Sequence, residues 1–240
     1  MFTVEIAVAK VAKYAVRESG DSVEVIERPR GGLSVVMVDG QRSGSSAKAI
    51  SNTVVRKAVS LLAEGVRDGA VARAAHDYLR TQRGGQVSAE LTILSVDLES
   101  RTLVISRNGR CPVLYFAGQG WAPLDEPAER VGAVTGVRPV ITEVPISVGQ
   151  SVIAFTDGFI HAGARRGATR DPLVVINEQA GSQAISAQRL ADDLLALALG
   201  LDEGRPLDDI TVVVLQVLPP SPGVGPEVRR MSVSFPVSSG

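Results

Sequence analysis

The chain is poor in the residues that usually advertise covalent or cofactor chemistry: 240 residues hold one cysteine, one tryptophan and two histidines. A single thiol, Cys111, cannot close an intramolecular disulfide, which suits a reducing compartment. Cys111 lies beside Pro112 in an apolar, strand-like run with no histidine near it in sequence. It therefore reads as a buried structural thiol rather than a nucleophile. No apolar run reaches the ~18 residues of a membrane-spanning helix. The first residues lack a charged region followed by an apolar stretch and a small-residue cleavage site, so a soluble, cytoplasmic protein with no membrane partner is expected. The net charge is −1 and there is no basic tract, which argues against a nucleic-acid partner. A G-x-x-x-x-G-K-[ST] phosphate loop is missing, against an NTPase.

What is present is ordinary for a globular chain, with 45% hydrophobic and 21% charged residues. The length suffices for one large domain that needs no covalent staples. Phe2, Val4, Ile6 and Val8 alternate as in a strand, and Val23 to Ile26 and Leu33 to Val38 follow as two more. Ala47, Ile50, Val54, Val55, Ala58, Leu61 and Leu62 fall at helical spacing. A second helix is expected from an N-cap at Asp68, with Val71, Ala74, Ala75, Tyr78 and Leu79 on one face, and Gly84-Gly85 closes the hairpin. Leu91 to Val96, Thr102 to Ser106 and Val113 to Phe116 read as a meander, and Trp121 to Val134 as a loop. Val140 to Ile146 and Val152 to Phe155 are further strands. A third helix runs from near Ser186 to Leu199 with Gly200 as its C-cap, before the β-branched strand Ile210 to Val217. Residues 1–218 are expected to form the folded unit. Residues 219–240 form a Pro/Ser/Gly-rich tail, with weak strand alternation in Met231 to Val237 as a candidate edge strand. Many strands with few helices between them argue α+β with antiparallel sheets.

Aspartates stand at the ends of the most apolar strands. Asp39 follows Val35-Val36-Met37-Val38, Asp157 follows Val152 to Thr156, and Asp208-Asp209 precede Ile210 to Val214. A carboxylate at such an end sits at the rim of the core, where an unpaired charge is costly. Asp39 and Asp157 are each followed by glycine, which permits close backbone approach to a ligand. Several carboxylates converging on one rim repel each other unless a cation joins them, and Mg²⁺ or Mn²⁺ suits such oxygen donors. Any one of these aspartates alone reads more readily as a turn or loop cap than as a ligand.

Taken in order, the set resembles the metal-dependent type 2C (PPM) serine/threonine protein phosphatase family, and within it the bacterial SpoIIE-like branch with its small standalone, RsbX-like members. Ser19-Gly20-Asp21-Ser22 resembles that branch's Gly-Asp motif, and Val38-Asp39-Gly40-Gln41-Arg42-Ser43-Gly44 its Asp-Gly-x-Gly-x-Gly motif. Phe155-Thr156-Asp157-Gly158-Phe159 resembles the (Ser/Thr)-Asp-Gly motif, and Asp208-Asp209-Ile210-Thr211-Val212 the terminal Asp-(Asp/Asn)-x-Thr-(Val/Leu) motif. The resemblance implies an αββα sandwich, two antiparallel sheets flanked by helices, with two divalent cations, Mn²⁺ or Mg²⁺, at one end. It implies that Asp39 is shared by both metals, that Gly40 offers its carbonyl to one, and that Asp157 and Asp208 hold the other. Asp21 would be a ligand or a group supporting one, and Asp209 a secondary member of the metal set. The implied reaction is attack of a metal-activated water on phosphoserine or phosphothreonine, with a STAS-like, anti-anti-sigma-type regulatory protein as the substrate by analogy.

Two positions depart from the pattern. Arg42 stands where a glycine is expected and Ser43 where the family has His or Asn. Arg42 is a candidate catalytic residue because a guanidinium binds phosphate in a fork geometry, and it also fits a solvent-exposed residue or a distorted metal loop. The last possibility keeps open a second function, a catalytically weak pseudophosphatase that binds a partner. A third is a different metal-dependent hydrolase acting on small phosphoesters. His161, four residues beyond Asp157, and the Arg165-Arg166 pair are nearby polar candidates, and His76 and Trp121 read as packing residues.

Overall fold

A computed structural model describes residues 2–179, 185–220 and 228–234 of the chain. Ten strands form two five-stranded antiparallel sheets. The first has the order β1-β10-β9-β6-β7, built from β1 (Thr3–Val11), β6 (Val113–Phe116), β7 (Trp121–Leu124), β9 (Ser151–Phe155) and β10 (Ile210–Leu218). The second has the order β2-β3-β4-β5-β8, from β2 (Asp21–Glu27), β3 (Leu33–Gly40), β4 (Ala89–Asp97), β5 (Thr102–Asn108) and β8 (Val140–Pro145). Helices α1 (Gly44–Ala63) and α2 (Asp68–Arg83) cover the second sheet. α3 (Asp157–Ile160), α4 (Pro172–Gln179) and α5 (Ala187–Leu201) lie on the first. The chain is thus the expected αββα sandwich.

Three apolar layers hold it together. Val36, Val38, Leu91 and Ile93 meet Ile50, Val54, Ala58 and Leu62 of α1 and Val71, Ala75 and Leu79 of α2. Val212, Val214, Ile153 and Phe155 meet Leu190, Ala191, Leu194 and Ala198 of α5. Between the sheets lie Val35, Met37, Leu94, Leu103, Ile105, Val152, Val213 and Leu215. A strand buried on both faces reads as a continuous apolar run. In β10, Val212 and Val214 face the helices while Val213, Leu215 and Val217 face the other sheet.

Several local expectations need correction. Trp121–Leu124 is an edge strand, not loop: its backbone pairs with β6, and the Trp121 ring packs on Phe116 with centroids 5.4 Å apart. Pro123 within the run hid it, since proline is a strand breaker that an edge strand tolerates. Asp68 does not cap α2. Arg67 is the N-cap, and Asp68 lies buried inside the first turn, accepting a 2.8 Å hydrogen bond from Arg28 Nη1 and another from Ser95 Oγ. α5 runs through Gly200 to Leu201 and is capped by Asp202, whose side chain accepts from Gly163 and Leu207 amides. Met231 to Ser234 adopt no regular structure, and the rest of the candidate edge strand, like positions 221–226 of the linker, lies outside the described residues.

The two Asp-Gly glycines are explained by backbone meeting backbone. A Cβ at Gly40 would collide with the Ala47 carbonyl at the start of α1, and one at Gly158 with the Asp209 carbonyl. Neither glycine has a positive φ. They are required because the strand ends are pressed against the neighbouring chain. Gly158→Ala is therefore expected to cost about 2–3 kcal/mol of unfolding free energy in urea titrations. Gly200→Ala, in the last turn of α5 with open space where its Cβ would stand, is expected to gain about 0.5 kcal/mol.

Candidate metal centre

Register brings the acidic residues together. In β2–β3 pairing Asp21 lies opposite Asp39, and in β3–β4 pairing Asp39 lies opposite Glu90. Three carboxylates thus stand abreast on adjacent strands, continuing the inter-sheet rows of Val35-Met37 and Leu94-Thr92 to the end of the sandwich. Like charges directly opposite one another are unfavourable. Asp39 shows the effect: burial first, then the charges of Asp21, Asp157 and Glu90, push its carboxyl up to about 9.

Asp21 is fully buried and joins the two sheets. Its Oδ2 accepts from Thr211 Oγ1 at 2.6 Å and Thr156 Oγ1 at 3.1 Å, both on the opposite sheet. Burial raises its carboxyl to about 6, against the lowering effect of the Thr211 bond. Its backbone carbonyl accepts from Lys10 Nζ at 3.1 Å and Lys48 Nζ at 2.7 Å. Asp157 opens α3 at the end of β9, and burial followed by the charges of Asp208 and Glu90 raises its carboxyl. Asp208 is half-buried beside it, just ahead of β10, with Oδ1 accepting from the Asp209 amide at 3.0 Å.

Asp209 points elsewhere. Its Oδ1 accepts from the Lys13 amide at 2.9 Å and its Oδ2 from the Gly20 amide at 2.8 Å, so both oxygens hold the β1–β2 connection. Gly40 ends β3 beside Asp39. Arg42 is exposed with φ of 79°, the left-handed region that a glycine there would adopt without strain. His161 is exposed one turn after Asp157, its amide donating to the Asp157 carbonyl at 2.9 Å. Arg166 pairs with Glu203. His76 is buried in α2, Nδ1 accepting from the Gly132 amide at 3.0 Å. Cys111 lies against Glu90, its thiol pushed up by burial and then by the charges of Glu90, Asp157 and Asp39, as befits a structural thiol.

Sequence reasoning missed Glu90, Arg130, Thr156 and Thr211. Glu90 directly precedes the apolar run Leu91 to Val96, the same strand-end signal that singled out Asp208-Asp209. Both threonines stood inside the quoted motifs, but what they hold is visible only across the sheets. Arg130 carried no local signal.

Among the described residues no three His, Cys, Asp or Glu side chains stand grouped closely enough to hold a metal ion as they are placed. The carboxylates line an open rim, above a cavity of about 10 Å³ between Asp39, Glu90, Thr92, Thr156 and Cys111, room for about one water. The donor set nonetheless fits a hard divalent cation: it is all oxygen, it is anionic, and its mutual repulsion is relieved by positive charge.

The comparisons agree with this fold. The sequence model of Stage II sporulation protein E (SpoIIE) matches residues 29–218, beginning after Asp21. The fold is similar to the PP2C phosphatase domain of SpoIIE from Bacillus subtilis, with a TM-score of 0.80 and 20% identity over 92% of this chain and 65% of that one. The RsbU and RsbW domains of a Mycobacterium tuberculosis protein give 0.73 and 22% over 91% of this chain and 61% of that one. The catalytic domain of the phosphatase PstP, in complex with two manganese ions, gives 0.68 and 18% over 91% and 100%. This chain thus spans just under two thirds of the first two. No curated protein sequence matches the chain. The fold is that of the metal-dependent type 2C phosphatase class. Within that class, the chain belongs to the SpoIIE family.

The raised Asp39 gives a pH signature for the metal-free protein. The folded state keeps a proton there up to about pH 9, whereas the unfolded chain releases it near the ordinary Asp value of about 4. The folded state therefore binds more protons across that window, and its stability falls as pH rises through it. In EDTA the Tm is expected to fall steadily between about pH 5 and about pH 9. Asp39→Asn should flatten the slope, and saturating Mn²⁺ should remove it. A pH-independent Tm in EDTA would show that the repulsion is relieved in some other way.

Proposed function

We propose that the chain is a metal-dependent protein serine/threonine phosphatase, acting on a phosphorylated bacterial regulatory protein of the STAS, anti-anti-sigma type. The observation that carries this reading is the meeting of Asp21 and Asp39 from one sheet with Asp157 and Asp208 from the other at a single end of the sandwich. Membership of the SpoIIE family supports the reaction, and likeness to a structure of RsbU and RsbW domains supports a regulatory-protein substrate.

In this reading Asp39, the Gly40 carbonyl, Asp157, Asp208 and Asp21 hold two Mn²⁺ or Mg²⁺ ions. When bound, such ions supply an activated water and neutralise charge on the phosphoryl group. The chain's own residues do the rest. Thr156 and Thr211 aim Asp21 and favour its ionised form through their hydrogen bonds. Lys10 and Lys48 fix the Asp21 backbone. Asp209 keeps the 13–20 connection, and with it Gly20 and Asp21, against the end of β10. Asp21 and Asp39 come from paired strands, while Asp157 opens α3 and Asp208 lies just ahead of β10, so the two sheets set how the pairs approach each other.

Purified protein with Mn²⁺ is expected to hydrolyse p-nitrophenyl phosphate and a phospho-STAS protein, and to stop when EDTA is added. Asp39→Asn should lower kcat/KM about a thousandfold, the effect of losing several kcal/mol of transition-state stabilisation. Failure on both substrates would sink the enzyme reading. The second reading, a partner-binding pseudophosphatase, draws on Arg42 in a left-handed conformation within the metal loop. Calorimetric titration separates the two: no Mn²⁺ or Mg²⁺ binding at millimolar concentration favours the module. Arg42→Gly should relieve backbone strain. An unchanged KM for phosphoprotein in that variant would remove Arg42 from the catalytic set.

A further inference from the structure

We propose that Arg130 is the residue that grips the substrate's phosphoryl oxygens, with Glu90 as its dedicated anchor rather than a metal ligand. The proposal rests on the phosphatase reading above and names one contact within it.

The backbone around Arg130 is held on both sides. Asn108 Nδ2 donates to the Glu129 carbonyl at 3.1 Å. Val131, fully buried, exchanges amide–carbonyl hydrogen bonds of 3.0 and 2.9 Å with Ala89 at the start of β4. The Gly132 amide donates to His76 in α2. The side chain therefore leaves a rigid stretch of chain that is tied directly beside the carboxylate row.

The side chain is oriented as firmly. Arg130 Nε and Nη2 both lie 2.9 Å from Glu90 Oε1. Glu90 also accepts from the amides of Arg110 at 3.2 Å and Cys111 at 3.3 Å, so its oxygens already serve one cation and two backbone donors. Nη2 then lies 3.8 Å from Asp157 Oδ2. These contacts run through Nε and Nη2 and leave Nη1 outside them, and the side chain is 41% exposed. One edge of the planar fork is fixed on Glu90, and Nη1 is left outside these contacts.

The other cations near the site are less suited. Lys10 and Lys48 are spent on the Asp21 carbonyl. Arg166 is paired with Glu203, and Arg42 is exposed on a strained loop residue. A pre-oriented guanidinium beside Asp157 keeps its end-on edge, Nη1 and the second Nη2 hydrogen, for two oxygens of a phosphomonoester dianion. Holding it in place beforehand spares the entropy of ordering a long side chain at each binding event. Free phosphate, the reaction product, shares this chemistry and serves as the probe.

The test compares wild type with Arg130→Gln, Arg130→Lys and Glu90→Gln, all loaded with Mn²⁺. Measured are the Kd of inorganic phosphate by calorimetry, the KM and kcat for a phosphopeptide, and the Mn²⁺ affinity. Arg130→Gln should weaken phosphate binding and raise KM about ten- to thirtyfold, the effect of losing a charge-assisted fork. Mn²⁺ affinity should stay the same or rise, because a competing positive charge is gone. Arg130→Lys should restore only part of the loss, since it keeps the charge without the fork. Glu90→Gln, which frees the guanidinium, should weaken phosphate binding by a smaller factor. The proposal is overturned if phosphate Kd and KM are unchanged in Arg130→Gln, or if Mn²⁺ affinity falls about tenfold while phosphate binding by the loaded protein holds. Should Arg130→Gln not fold, the exposed and charge-conserving Arg130→Lys still decides: full wild-type KM and phosphate Kd would sink it. A wild-type protein that neither turns over phosphopeptide nor binds phosphate with Mn²⁺ overturns the phosphatase reading itself. An active wild type with an indifferent Arg130→Gln overturns only this contact.

Discussion

Asp21, Asp39 and Glu90 stand side by side because β2, β3 and β4 are in register, and nothing in a folded chain easily tolerates three adjacent carboxylates at the edge of an apolar core. Much of the surrounding structure answers that repulsion. Thr156 and Thr211 reach across from the other sheet to Asp21, and Arg130 lies on Glu90. Asp39, in the middle, has neither kind of partner, and it is the one whose carboxyl is driven furthest from its ordinary range. The outer carboxylates of the row have side-chain partners in the protein, and the central one does not.

The close fit at the rim has a steric side as well as an electrostatic one. Ala47 packs against both Gly20 and Gly40, so the start of α1 seals the strand ends that carry Asp21 and Asp39. Gly158 lets α3 lie directly on the Asp209 backbone, which sets Asp157 beside Asp208. The small residues of the motifs thus bring backbones together, and the carboxylates follow. The rows that bear the acids deeper in the sandwich bear valine, leucine and methionine, so the rigidity of the apolar layer passes directly to the site.

Several features could be read from the order of residues because they depend on local periodicity and chemistry. The helix hairpin, the β-branched final strand and the aspartates at strand ends belong to this group. Others could not. Glu90 has the same strand-end position as Asp208, yet its place in the row depends on which residue of β3 it faces. Asp209 looks like the twin of Asp208, but its side chain turns to the Lys13 and Gly20 amides. Asp68 looks like a helix cap and is instead half of a buried ion pair with Arg28, 40 positions away in sequence. Trp121–Leu124 resembles a loop because an edge strand need satisfy only one neighbour.

Composition and pattern alone determined the class: an α+β chain of buried strands with acids at their ends, matched in order by the motifs of the type 2C phosphatases. These follow from periodicities of two and near four residues and from the chemistry of neighbouring side chains. Only the tertiary structure decided which carboxylates meet, which are already spent on backbone or on Arg130, and which is left exposed to its neighbours' charge. That choice rests on strand register and on the stacking of one sheet against another. Both join residues as far apart as Asp21 and Thr211, and no local stretch of sequence records them.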